Sequence, residues 1–530
     1  RLRLGGGEGG LLATLAPEVR AWLPELYPRE LALIANAYAR TAVAGADLFK
    51  DLSFHARRVV AELKPQDMSN LANALAKVQA PGARAFFADL ATRATAEFPS
   101  FLRQHLASIA WAFARLHHET AVDLLRAMAE HLCQLGNFGG FSTQELVNLL
   151  SAYARVRIRC ADLLRDVSQH LESRPDIVQA MEPVDLLYTA SSLARLGVQS
   201  SRIFASVAQA TLACKRQPSA KQAIYLLHAF VQVRQADTAL FKGLGSCLGR
   251  ALEQKGKHGP SKSDWVVGLS AFASASMHDS SAELSHLCRG IVAWCCDVPG
   301  TEVHPLQESH GGVVDQLSPL DAAFLLRTLA HNWIDGSGYG VQSLVSRLLS
   351  EHSSFSASEM LVALHAAIQI HSSDCESISS WVPSQTCDAL LCVLAEELVS
   401  GRFTNLAPAD LRIAAWVLAK MEHTRTDCWA SITEQLIKLL HEPRAVLREG
   451  DVACADGFYV ASEEPSLSES LTLSHEAAES PLRAASASRA SRATHAGAAR
   501  AEQLVQCAVV VLNSCARVRL QDGGLIAAVY

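Results

Sequence analysis

Apolar, small and polar positions recur along this chain in one helical pattern. Pro65-Gln66-Asp67-Met68-Ser69-Asn70-Leu71-Ala72-Asn73-Ala74-Leu75-Ala76-Lys77 is one copy. Residues 28–40, 103–115, 143–155 and 183–195 are close copies, and looser ones end at Gln232, Ser274, His331, Gln369, Lys420 and Arg517. Positions are counted backward from that last residue, position zero. Position −2 is large and apolar in most copies (Tyr38, Leu75, Phe113, Tyr153, Leu193, Phe230, Phe272, Leu329). Position −1 is Ala in nine copies, which lets a neighbouring helix approach closely. Position −10 is acidic in eight, complementing the helix dipole. Pro at −12 suits a first helical turn. Ser142, Ser261, Ser318 and Ser356 at −13 stand three residues before that acid, the spacing of a capping box.

A second amphipathic helix is predicted after each copy, for example over 46–63, 84–98, 120–135, 161–171, 201–214 and 236–252. Strand signals are scarce. A helix pair cannot bury its apolar face alone, whereas a stack of pairs can. The pattern therefore predicts an all-α fold: an α-solenoid superhelix of about eleven antiparallel helix pairs with a period near 38 residues.

Charge divides what the repeats unite. Residues 1–262 carry 31 Lys+Arg against 22 Asp+Glu, and residues 263–400 carry 3 against 16. The overall net charge of −6 hides this polarity. Four segments are expected: basic helical repeats over 1–262, acidic degenerate repeats with loop insertions over 263–448, a disordered low-complexity insertion over 449–502, and a final repeat fragment over 503–530. Interruptions at 297–317 and 371–386 are expected to be loops. An acidic stretch repels phosphates, so residues 263–400 are expected to bind a protein partner. The fourteen Cys form no C-x-x-C pair and read as buried thiols of a reducing compartment. No apolar run reaches the length of a membrane span, so no membrane partner is expected. The chain begins at Arg1 inside what reads as half a repeat, as a fragment or processed product would.

The segment Pro65 to Lys77 and its close copies strongly resemble the core of octotricopeptide and heptatricopeptide repeats. Relatives include the helical parts of FAST-kinase-like and RAP-domain proteins, and subunits of kinetoplastid RNA-editing complexes. The resemblance spans Tyr27 to Val518, closest up to Arg195. It implies a mitochondrial or plastid protein that binds transcripts and governs RNA processing, stability or translation, or else a structural subunit of a mitochondrial ribosome or assembly complex. The RAP domain of that family is not visible in these residues.

Positions −11, −7, −4 and 0 form one stripe on each first helix. Over the first six copies it carries Asn36 and Arg40; Asn70, Asn73 and Lys77; Ser108, Trp111 and Arg115; Asn148, Ser151 and Arg155; Tyr188, Ser191 and Arg195; and Tyr225, His228 and Gln232. Varying polar and aromatic groups beside a basic ladder suit single-stranded RNA read one unstacked base per repeat, with stacking on Trp or Tyr. Ordinary dipole complementation at helix ends accounts for a basic last turn equally well. From copy seven the −7 position turns apolar: Val267, Phe324, Val362, Ile413 and Val510. No phosphate loop, nucleophile elbow or zincin motif occurs, so a non-enzyme without cofactor or metal is expected. His117, His118 and His131 read as surface histidines.

Overall fold

A computed structural model of the chain describes residues 11–41, 46–136, 138–254, 259–277, 280–296, 317–332, 334, 338–400, 403, 406–422, 426–441, 507–508, 510–511 and 514. These residues hold helices and turns, and no strand occurs among them. They fall into two units divided between Pro260 and Ser261. The segment 449–502 lies outside the described residues, as do 297–316 and most of the eleventh copy.

The first unit comprises α1 (Leu11–Trp22), α2 (Pro28–Thr41), α3 (Ala46–Arg58), α4 (Pro65–Lys77), α5 (Ala83–Glu97), α6 (Arg103–Leu116), α7 (Ala121–Leu135), α8 (Thr143–Val156), α9 (Ala161–Ser173), α10 (Pro175–Gln179), α11 (Pro183–Arg195), α12 (Ser201–Ala213), α13 (Ala220–Gln232) and α14 (Thr238–Gln254). The pattern copies are α2, α4, α6, α8, α11 and α13, and each packs on the next. The intervening helices form a second layer, with α1 on α3, α3 on α5, α5 on α7, α7 on α9 and α12 on α14. The second unit comprises α15 (Lys262–Ser274), α16 (Ala282–Cys295), α17 (Pro319–Asn332), α18 (Gly338–Ser350), α19 (Ala357–His371), α20 (Glu376–Ser379), α21 (Ser384–Val399), α22 (Pro408–Lys420) and α23 (Thr426–His441). There α15, α17, α19 and α22 pack in series, as do α18, α21 and α23. This is the serial two-layer packing of an α-solenoid.

The repeat register explains the core. All eight large −2 side chains named above are buried. Truncating one, as in Phe113→Ala, removes its transfer energy and leaves a cavity, together about 3–5 kcal/mol. Two of the eight are tyrosines with the same polar anchor: Tyr38 Oη donates to the Leu12 carbonyl at 2.9 Å, and Tyr153 Oη to the Leu125 carbonyl at 2.7 Å. Each phenol thus reaches the second-layer helix before its own. Ser142, Ser261 and Ser356 close capping boxes with Glu145, Asp264 and Glu359, and Ser318 accepts from the Asp321 amide at 3.1 Å. Ser219 and Gln222 form a further box by the same chemistry.

Three local features differ from the expectation. The helix expected over 46–63 stops at Arg58, and a 3-10 turn follows at Val60–Glu62. The short α10, started by Pro175, is too brief to show a periodicity. The Ser-rich interruption at 371–386 also holds the one-turn α20.

Helix endings follow one rule that the repeat core does not display. Position +2 adopts a positive φ in seven copies: Gln79, His117, Arg157, Gly197, Arg234, Ser276 and Glu422. In the first six of these, the +3 amide donates to the −2 carbonyl and the +2 amide to the −1 carbonyl, as in Ile158 to Tyr153 at 3.0 Å and Arg157 to Ala154 at 3.3 Å. That is a Schellman closure. It uses glycine only at Gly197, where a Cβ would also meet the Arg159 guanidinium at 3.1 Å. The left-handed conformation costs a non-glycine residue about 1–2 kcal/mol. We therefore expect substitutions of opposite sign. Gln79→Gly relieves strain and raises stability by up to about 1 kcal/mol after its entropy cost, whereas Gly197→Ala lowers it by about 1–2 kcal/mol. Thermal unfolding of the two variants checks the pair, and shifts of the same sign would refute the account.

Candidate nucleic-acid interface

Every stripe residue of the first six copies lies on a first-layer helix of the first unit, from Asn36 and Arg40 on α2 to Tyr225, His228 and Gln232 on α13. Position −4 is only partly exposed. Asn36, Asn73, Trp111, Ser151, Ser191 and His228 are all half-buried, as are Ser270, Arg327, His365 and Trp416 in the second unit. Close packing of successive first helices puts each −4 side chain against its neighbour. Thus Ser192 Oγ lies 3.4 Å from Ser151 Oγ, and the His365 and Trp416 rings are 4.5 Å apart. At position −7, Leu33 and Tyr188 are exposed, while Asn70, Ser108, Asn148 and Tyr225 are half-buried.

Charge follows the same geometry. Position zero of one helix faces position −4 of the next. Arg195 on α11 helps hold His228 on α13 neutral, and His331 on α17 acts likewise on His365 of α19. Arg195 is itself pressed from its other side. Burial first, and then the Arg157 and Arg155 guanidinium charges, lower its pKa from the ordinary arginine range. By surface area Arg195 remains exposed, so this site is a crowded rim open to solvent, where an anion can reach.

These cations differ from several of the second layer in what they touch. Arg20 pairs with Asp51 at 2.7 Å, Arg57 with Asp89 at 2.7 Å, Arg93 with Glu97 at 3.0 Å and Arg165 with Asp162 at 2.9 Å, all on second-layer helices. Arg40, Lys77, Arg115, Arg155 and Arg195 form no ion pair among the described residues. Arg115 stacks over the Trp111 ring at 5.5 Å, and its buried Nε has no hydrogen-bond partner there. Lys221 lies over the Tyr225 ring at 5.9 Å. The side chains of Asn36, Asn70 and Asn73 make no hydrogen bond among the described residues, whereas Asn148 accepts from Gln144 at 3.2 Å. The structure thus joins cation to aromatic within two helices and cation to cation between α8 and α11. Among the described residues, no hydrogen bond or ring contact joins Tyr188 or Gln232 to another stripe residue.

Sequence reasoning missed Arg157 and Arg159. They follow Arg155 in the alternation Arg155-Val156-Arg157-Ile158-Arg159, and both are exposed. Arg157 has a left-handed φ of 56°, and Arg159 lies against Gly197, just beyond the end of α11. The signal was this basic alternation beyond position zero, where the helical repeat ends.

Two expectations need correction. His118 is buried, with Nδ1 at 2.8 Å from Thr120 Oγ1 and Nε2 at 2.9 Å from the Arg84 carbonyl. His131 is half-buried and stacks on Phe98. Both therefore pack inward between helices. Among the described residues no three His, Cys, Asp or Glu side chains gather to hold a metal. No described helix is long and apolar enough to cross a membrane.

The stripe histidines make stability depend on pH. Burial and then Arg195 push His228 down to about 4, and burial followed by His331 and Arg327 pushes His365 down to about 4. The unfolded value near 6.5 is higher, so the unfolded state binds more protons between the two. Stability is then fully present above about 6.5 and is lost as pH falls toward 4. The loss is on the order of 3 kcal/mol per histidine by the bottom of that window. Urea unfolding at pH 7 and pH 4.5 should show His228→Gln losing less stability on acidification than the parent chain. An unchanged dependence would contradict the assignment.

The family model described as RNA-editing substrate-binding complex 6 protein matches residues 121–251. That stretch runs from the first residue of α7 into α14 and contains Arg155, Arg157, Arg159, Tyr188, Arg195, Tyr225 and His228. No curated protein matches the chain. The stretch of this chain similar to an RNA-editing complex protein is therefore the one that holds its cluster of crowded arginines.

Proposed function

We propose that this chain is a non-enzymatic helical-repeat protein of an organellar RNA-processing complex. It binds single-stranded RNA along the first-layer stripe of residues 28–232. The observation that carries the reading is the contrast in cation pairing within the first unit. The second-layer arginines Arg20, Arg57, Arg93 and Arg165 pair with neighbouring carboxylates, though Arg58, Arg84, Arg202 and Arg250 do not, while no cation of the ladder from Arg40 to Arg195 does so among the described residues. Dipole complementation alone gives no reason for Arg155, Arg157 and Arg195 to crowd one another, and a phosphate backbone does. The ladder positions the strand, and the half-buried asparagines, Trp111, Tyr188 and Tyr225 offer edges and faces to bases. The match to an RNA-editing substrate-binding complex protein supports RNA processing as the setting. Together with the repeat resemblance it favours the mitochondrion over the plastid.

The second unit supplies a protein contact in this reading. It exposes Tyr339 on α18 and Val399 on α21, and the acids Glu376 on α20 and Asp388 and Glu396 on α21 are exposed as well. A basic partner surface with apolar anchors fits that chemistry. The reversal Glu376→Lys, Asp388→Lys and Glu396→Lys together should weaken capture of the chain by its complex without lowering RNA affinity. Lower RNA affinity would refute the assignment.

Salt dependence tests the RNA reading. For single strands each neutralised phosphate adds about −0.7 to the slope of log affinity against log salt. Arg155→Ala with Arg195→Ala should flatten that slope by about 1.4 and weaken all sequences alike. Trp111→Ala should cost about 1–3 kcal/mol of binding with the slope unchanged. If the double arginine variant binds RNA as the parent does, the ladder serves helix ends only.

A further inference from the structure

The second unit carries its own stripe. Positions −4 and 0 are Arg327 and His331 on α17, His365 and Gln369 on α19, and Trp416 and Lys420 on α22. These groups meet one another. The Arg327 guanidinium stands 4.6 Å over the Phe324 ring. The His365 ring lies 4.5 Å from Trp416 at a 55° tilt, and His331 and Arg327 are near enough to His365 to help hold it neutral. One turn beyond His365, the buried Oε1 of Gln369 has no hydrogen-bond partner among the described residues. Trp416 and Lys420 remain half-exposed one turn apart on α22.

Among the described residues, the acids of these first-layer helices stand at the opposite helix ends, and Glu422 follows two residues beyond Lys420. The acids of α17, α19 and α22 are Asp321, Glu359 and Asp410, all at position −10. At 1.5 Å per residue they lie about 9 Å along the axis from position −4 and about 15 Å from position zero. The screening length at physiological salt is about 8 Å. They are also engaged locally. Asp321 accepts from Ser318 at 2.6 Å and Ser263 at 2.5 Å, Asp410 from Ser358 at 3.0 Å, and Glu359 from the Ser356 amide at 2.7 Å. Glu351, Glu376, Asp388 and Glu396 lie on or beside the second-layer helices and α20. A net negative count over 263–400 therefore does not describe the stripe positions Arg327, His331 and His365, and Trp416 and Lys420 lie beyond that segment.

We propose that this patch is a second single-stranded RNA site, where Trp416 stacks a base and Arg327 and Lys420 hold phosphates. A π-face beside cations is the chemistry that takes a nucleotide without sequence preference, and the unsatisfied Gln369 oxygen can accept from a base N–H. An acidic peptide would satisfy the cations but leave that stacking face unused. The inference rests on the reading of the chain as an RNA binder and extends the contact to a unit that segment charge would exclude.

The test uses the full chain and a mixed-sequence oligoribonucleotide carrying 4-thiouridine at several positions. After irradiation, adducts are located by mass spectrometry, and affinity is measured for Trp416→Leu and Trp416→Phe. We expect adducts on peptides containing His365 or Trp416 as well as within residues 28–232. Trp416→Leu should lower affinity at least about fivefold, and Trp416→Phe should retain most of it. Circular dichroism reports whether each variant keeps its helices, and the adduct map on the parent chain stands even if one does not. Adducts confined to residues 28–232, with Trp416→Leu binding as the parent, overturn this inference and leave the first-unit reading intact. Loss of a protein partner on Trp416→Leu with RNA affinity unchanged also overturns it. Absence of any adduct and any binding defeats both readings.

Discussion

The close approach of successive first-layer helices is the constraint on which the rest depends. Small side chains at −1 and −3 permit it, and a large one at −2 fills the space between layers. It draws position zero of one helix up to position −4 of the next, so side chains far apart in sequence share one electrostatic environment. Arg195 acting on His228, and His331 on His365, are the same geometric relation in different units. A ladder of cations and a stripe of half-buried polar groups follow from the packing without any special loop or cleft. Function in such a molecule is a property of helix spacing, and damage to the core is felt at the surface.

Much of this was legible from residues. The register of Tyr38, Phe113 and Tyr153 named the core, and the serines at −13 named the caps, because both depend on short-range spacing within one helix. The Schellman endings were not legible. Six of the seven left-handed residues are not glycine, so the usual marker of a helix end was missing. His118 looked like a surface histidine because its partners, Arg84 and Thr120, come from a neighbouring helix end and a turn.

The candidate site was half legible for a related reason. Residue types at −7, −4 and 0 could be read from the repeat, but which cations lack partners could not, since pairing is decided between helices. Counting charge by segment discarded the direction along each helix. In α17 the acid Asp321 sits in the first turn, while Arg327 lies about 9 Å further along the axis. The sum over 263–400 averages those ends together, and a phosphate arriving at one end does not.

The serine–carboxylate bridges of the second unit bear on how such an array can be edited. Ser263 on α15 donates to Asp321 on α17, and Ser358 on α19 donates to Asp410 on α22, each joining −11 of one copy to −10 of the next. Between α17 and α19 the −11 residue is Leu320, which has no hydroxyl to give. The copies thus mate in twos, a donor with an acceptor, and are not equivalent beads. Duplicating or excising a single copy would set a hydroxyl against the wrong neighbour or strand a carboxylate, whereas moving a mated pair would keep both joints whole. Lengthening or shortening by such a pair keeps both bridges of this part of the chain.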